Sequence, residues 1–164
     1  MNTQKKIYLI TAIGYKNMRK RKKKYIELKN SGFLFINYIH KSVEYESDLK
    51  IGENNIIFPG TIIEPEVQIG NNNIIWSKNL ICHNVEIGSH NFIAAGSLIG
   101  GFSKILNNNF IGFNSTIIQR KVIEKEVLIG AKSLVINNPN NFSKNFGIPT
   151  KEVSCHFKNG IEIN

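Results

Sequence analysis

The chain has 164 residues, 41% of them hydrophobic, and a formal net charge of +9. That length and apolar content support one domain with a core and exclude the disordered and collagen-like classes. No apolar run approaches the roughly 20 residues that span a bilayer. The start lacks a signal peptide's apolar segment and cleavage site. The two cysteines, Cys82 and Cys155, make neither a disulfide framework nor a metal motif. The expectation is a protein of the reducing cytoplasm with no membrane insertion.

The charge is unevenly spread. Residues 1–50 hold 12 Lys and Arg against 4 Asp and Glu, net +8, whereas residues 51–164 hold 9 against 8, net +1. The run from Lys16 to Lys24 supplies most of this. It reads as a solvated helix face, because it carries no aromatic stacking motif and no recognised nucleic-acid module. Along the chain, residues 1–50 predict a strand over Ile7 to Ile13, a turn at Gly14, a helix from about Lys16 to Asn30, a stop at Gly32, and a strand over Phe33 to Ile39. This is a short N-terminal βαβ fragment, too small to stand as a doubly wound domain.

From Ile51 the sequence changes character. Stepping by six gives Ile51, Ile57, Ile63, Ile69, Ile75, Ile81, Ile87, Ile93, Ile99, Ile105, Ile111, Ile117, Ile123, Ile129 and Val135, with no insertion. Gly follows at 52, 70, 88, 100, 112 and 130. The position four after each Ile is mostly small, Asn or β-branched, with Lys121 the exception. A period of six fits neither a helix nor a hairpin protein. Each hexad offers one short strand with a large inward residue, then a corner. Small residues and Asn suit corners because they tolerate unusual backbone angles. Three hexads close a triangular coil, and coils stack at about 4.8 Å through parallel ladders. Residues 51–140 therefore predict an all-β-dominated parallel β-helix of about five coils, and residues 141–164 a cap and tail. Physics alone would favour right-handed crossovers.

The hexad pattern resembles the hexapeptide-repeat acyltransferases, and that resemblance implies a left-handed parallel β-helix. It also implies a homotrimer with sites in the clefts between prisms. The stretch from Ala12 to Ser42, followed directly by hexads, looks more particularly like the sugar O- and N-acyltransferases of the bacillosamine and perosamine type. "GIPTKEV", Gly147 to Val153, resembles the element that follows their last coil. On that resemblance, residues 1–50 correspond to the last βα unit of a nucleotide-sugar-binding domain, most of which is lacking here. No G-x-G-x-x-G phosphate cradle occurs.

The implied chemistry is acyl transfer from acetyl-CoA to an amino group of a nucleotide-linked amino sugar, in surface polysaccharide or glycan biosynthesis. O-acylation is the open alternative. Of four histidines, His40, His83, His90 and His156, only His83 and His90 lie in the coils. "ICHNVEIG", residues 81–88, resembles the stretch that carries the family's general base, which makes His83 the base. Asn84 stands where relatives have a carboxylate or a second His. Residue matching implies Phe92, Gly101, Phe113, Ala131 and Lys132 for acetyl-CoA, with Arg120 or Lys121 as further phosphate contacts. Simple corner geometry is the competing account of the glycines, and a surface corner that of His83. His90 stands as a weaker functional candidate. No metal is expected: a γ-carbonic-anhydrase-like lyase shares the fold but needs three His ligands, and the coils hold two. A non-catalytic β-helix scaffold is the other reading.

Overall fold

The structure, a computed structural model, describes residues 6–163. Each hexad forms a two-residue strand whose second residue enters the bore. Every strand pairs in parallel with the strand 18 residues away: Ile51 with Ile69, Ile69 with Ile87, Ile87 with Ile105, Ile105 with Ile123. Eighteen residues are three hexads, so successive hexads fall on three different sheets. The first sheet runs from Lys50–Ile51 to Val122–Ile123, the second from Tyr38–Ile39 through Leu128–Ile129, and the third from Ile62–Ile63 to Leu134–Val135. This is a left-handed parallel β-helix of about six turns. The inward residues from Ile57 to Val135 are at most 4% exposed and form one continuous apolar column.

The ladders extend beyond the hexads at both ends. Tyr38–Ile39 pairs with Ile56–Ile57, and Glu44 bridges Ile62, so a partial turn precedes Ile51. The reason is an asparagine ladder. Asn37 Oδ1 accepts the N–H of Asn55, and Asn55, Asn73 and Asn91 each do the same for the residue 18 positions on. Asn37 thus occupies a corner position of the coil, and the strand predicted over Phe33 to Ile39 is divided there into Leu34–Phe35 and Tyr38–Ile39. After the last hexad, Ser143–Phe146 adds in parallel to Leu128–Ile129, and Lys151–Cys155 returns antiparallel to it. That hairpin occupies the open edge of the second sheet.

The residue before each inward one points outward, and its chemistry differs between sheets. On the first sheet it is Lys50, Gln68, Glu86, Lys104 and Val122, facing water. On the second it is Ile56, Ile74, Phe92, Phe110 and Leu128, all buried. Their cover is the N-terminal unit. Strands β1 (Tyr8–Leu9) and β2 (Leu34–Phe35) pair in parallel and flank helix α1 (Met18–Asn30), the expected βαβ arrangement. The helix starts at Met18 rather than Lys16 because the Asn17 side chain accepts the N–H of Lys20, at 2.8 Å. Met18, Arg21 and Tyr25 face inward. The C-terminal tail seals this packing: Met18 N–H donates to the Ile161 carbonyl, Ile163 N–H to the Lys16 carbonyl, and Ile161 is fully buried. On the third sheet the outward residues are Ile62, Leu80, Leu98, Thr116 and Leu134, which are partly exposed.

Candidate active site

Three corner columns join the sheets. Corner A, between the third and first sheets, carries residues 64–66, 82–84, 100–102 and 118–120. Corner B lies between the first and second sheets and corner C between the second and third. At corner A, Glu66, Asn84, Phe102 and Arg120 all adopt positive φ, between 57° and 60°. This left-handed residue turns each corner and throws its neighbour outward.

His83 is the exposed member of that column. Its backbone N–H donates to Glu64 Oε2 at 2.7 Å, and its ring Nδ1 lies 3.1 Å from Asn84 Oδ1. With the proton on Nδ1 donated to that amide oxygen, the lone pair is on Nε2. Asn84 therefore does for ring orientation what a carboxylate would do, without the charge. The Phe102 ring meets the imidazole edge-on, centroids 5.0 Å apart, and the Arg120 guanidinium sits 4.8 Å from the Phe102 centroid. Gly101 lies one coil below. A Cβ there would fall 2.9 Å from His83 Cε1 and 3.0 Å from Nε2. Glycine at 101 makes room for the imidazole. Glycine at 100 has a different cause, since a Cβ there would meet the Gln119 backbone N at 2.5 Å. Burial and the Glu64 carboxylate push the Cys82 thiol up, which keeps it protonated beside the imidazole.

The other candidates lie elsewhere. Phe113, Ala131 and Lys132 are exposed on corner C, where the Lys132 N–H donates to the Phe113 carbonyl at 2.7 Å. Within one chain they stand across the third sheet from His83. Phe92 is 1% exposed, stacked on Phe110 at 5.3 Å and covered by Tyr15. Its ring is part of the packing beneath the N-terminal unit, which leaves it no free face for acetyl-CoA. The Phe92 expectation is corrected for that reason.

His90 is structural. It is 8% exposed at corner B, with Nδ1 2.9 Å from Asn72 Nδ2, and its carbonyl accepts from Arg21. Burial, with Lys22 and Arg21 adding, pushes its pKa down to about 4, so it stays neutral. Arg21 is itself 1% exposed and is held by the His90 and Asn72 carbonyls; its burial lowers its pKa to about 10. Among the described residues, no group of three or more His, Cys, Asp or Glu is placed to hold a metal. No helix among them is long and apolar enough to cross a membrane.

Reading by six missed Glu64, Phe102 and Trp76. Reading by 18 from residues 83 and 84 points directly to Gly101, Phe102 and Arg120.

The uninterrupted hexads and the three 18-residue ladders make this chain a hexapeptide-repeat protein of the left-handed β-helix class. A profile described as "Bacterial transferase hexapeptide (six repeats)" matches residues 48–81. No curated relative matches the sequence. Among solved structures the chain is similar to PerB of Caulobacter crescentus in complex with CoA and GDP-perosamine. That likeness has 23% identity and a TM-score of 0.85, over 90% of this chain and 70% of that one. It is similar to the acetyltransferase domain of PglB from Neisseria gonorrhoeae in complex with acetyl coenzyme A, with 17% identity and a TM-score of 0.83, over 88% and 69% of the two chains. A third likeness is to AntD, an N-acyltransferase of Bacillus cereus in complex with dTDP-4-amino-4,6-dideoxyglucose and coenzyme A. There the identity is 21% and the TM-score 0.68, over 80% of this chain and 88% of that one. At these identities the likeness is one of fold.

Proposed function

We propose that this protein is a cytoplasmic acyltransferase that moves an acetyl group, or a related acyl group, from acetyl-CoA to an amino group of a nucleotide-linked amino sugar. We place it in surface polysaccharide or glycan biosynthesis, with His83 as general base. The observation that carries the reading is the His83 corner: an exposed imidazole oriented through Nδ1 by Asn84, with Nε2 directed past a glycine at 101. PerB and AntD, in complex with nucleotide-linked amino sugars and CoA, supply the substrate class.

The chemistry balances on those groups. The amine nitrogen attacks the thioester carbonyl and forms the C–N bond. His83 Nε2 takes the proton that the nitrogen sheds. Collapse of the tetrahedral adduct breaks the C–S bond, and the imidazolium returns its proton to the departing thiolate. The Gly101 N–H, on the coil next to His83, is the donor assigned to the developing oxyanion.

One chain does not bring its candidates together, so the proposal includes a homotrimer. The third sheet bears partly exposed Ile62, Leu80, Leu98 and Leu134 and separates corner A from corner C. Three copies turning that sheet toward a common axis set corner A of one against corner C of the next. At about 4.8 Å of rise per coil, Phe113 lies about 8 Å and Lys132 about 13 Å beyond the level of His83. That is a suitable order for an extended pantetheine followed by phosphates.

The test is His83→Ala. Acetyl-CoA binding, read by calorimetry, stays within about twofold, because its contacts lie on later coils. Turnover, read as CoA release with GDP-perosamine or dTDP-4-amino-4,6-dideoxyglucose, falls about 10²–10⁴-fold. A wild-type protein that binds no acetyl-CoA defeats the transferase reading. Equal turnover without His83 defeats the assignment of the base.

A further inference from the structure

Corner C carries an aromatic strip that the acyl-transfer reading does not use. Tyr38 packs on Phe58 (centroids 6.5 Å apart), Phe58 on Trp76 (5.7 Å), and Trp76 on Phe113 (6.1 Å, edge-on). Beneath them, buried Phe92 braces the indole at 6.0 Å. Yet Tyr38 is 46% exposed, Trp76 36% and Phe113 40%. Three aromatic neighbours fix the indole, and its remaining surface faces water. A rigid aromatic with one free face is a costly thing to leave in solvent and an inexpensive one to bind with, because no rotamer freedom is lost on contact.

Its height is informative. Trp76 and His83 belong to the same coil, seven residues apart, which is about 2 Å of rise along the axis. Copies related by an axis parallel to the β-helix therefore hold the Trp76 of one level with the His83 of the next. Phe113, Ala131 and Lys132, the thioester-donor candidates, lie on coils beyond. Phe58 and Tyr38 lie on coils before. The strip thus divides at Trp76, with the donor's side toward the last coils and the free side toward the first.

We infer that the strip centred on Trp76 and Phe58 is a stacking subsite for the pyranose ring of the acceptor, presented to the His83 corner of a neighbouring copy. The inference rests on the acyl-transfer reading and on the association it entails. A pyranose has an apolar C–H face that lies flat on an indole while its hydroxyls stay in water. At the level of His83 the group that must be held is the one bearing the amine. A nucleobase, separated from that amine by the sugar and a diphosphate, falls further out.

Trp76 is the only tryptophan of the chain, so its emission reports on this surface alone. Either nucleotide-linked amino sugar is expected to give a saturable change in emission, with no change from GDP, dTDP or acetyl-CoA. Trp76→Ala is expected to raise KM for the amino sugar about tenfold and leave KM for acetyl-CoA within about twofold, with Trp76→Phe recovering most of the loss. The same emission change from GDP or dTDP alone means that the base stacks there and overturns the inference. A change from acetyl-CoA assigns the strip to the donor and also overturns it. So does unchanged emission at saturating amino sugar. A protein whose emission responds to the amino sugar, while calorimetry finds no acetyl-CoA binding, refutes acyl transfer and leaves the sugar subsite in place.

Discussion

Gly101→Ala tests the His83 corner with one methyl group. The added Cβ lies 2.9 Å from Cε1 and 3.0 Å from Nε2 of His83, roughly 0.7 Å inside ordinary carbon contact distance. Gly101 has no positive φ, so the backbone accepts alanine and the conflict falls on the imidazole. The ring is exposed and can swing away, breaking its contact with Asn84 Oδ1 and moving Nε2 by about the same 0.7 Å. A displacement of about 1 Å in a catalytic group costs on the order of 100-fold. The expected result is a fall in kcat of about 10- to 100-fold, KM for acetyl-CoA within about twofold, and a melting temperature within a few degrees. The assay is steady-state CoA release, with calorimetry for the donor. Unchanged kcat refutes the argument, because it means that the imidazole does its work from another position or not at all.

Two further outcomes concern stability. Ile93 is fully buried between Ile75 and Ile111, so Ile93→Asn leaves a cavity and an amide without partners; a loss of about 3–5 kcal/mol is expected in calorimetric melting, and an unchanged melt refutes the inward register. His90 has its folded-state pKa pushed down to about 4 from 6.5. The unfolded chain therefore takes up the proton first, so stability is full above pH 6.5 and declines as pH falls toward 4, by about 2 kcal/mol after allowance for partial solvent access. Asparagine occupies the equivalent corner at 54, 72 and 108, so His90→Asn flattens that decline in urea unfolding at pH 7 and 4.5. The lowered pKa of His156 leaves a smaller remainder; an undiminished slope refutes the role given to His90.

The repeat was fully legible because inward packing has a period of six, and the buried column follows it without exception from Ile57 to Val135. What lies on the outside has a period of 18, and a reading by six averages over it. Phe92 shows the cost. Taken alone it is an aromatic near a histidine; taken with Ile56, Ile74, Phe110 and Leu128 it belongs to an apolar stripe that must be covered. The start of the solenoid was hidden for a related reason. Tyr45 breaks the isoleucine series, while Asn37 continues the asparagine ladder at 18-residue spacing. His83 was legible through its motif. Its partners Glu64 and Phe102 were not, because they adjoin it only through the coil geometry. The C-terminal tail carries no repeat, and its docking on α1 depends on backbone bonds that leave no pattern in the side chains.

That docking alters how the molecule comes apart. A solenoid in which each coil touches only the coils next to it behaves as a one-dimensional stack and frays from its ends. Here α1 lies along the outside of the stack, touching the stripe from Ile56 to Leu128, and is pinned by Arg19 to the carbonyls of Phe157 and Lys158 and to Glu126. Asn17 reaches Glu162 across 145 positions of chain. These contacts bind early and late coils to one strut, so no end coil is lost without loosening the strut that holds the rest. A fold whose register is wholly local thereby acquires the all-or-none unfolding of a compact domain.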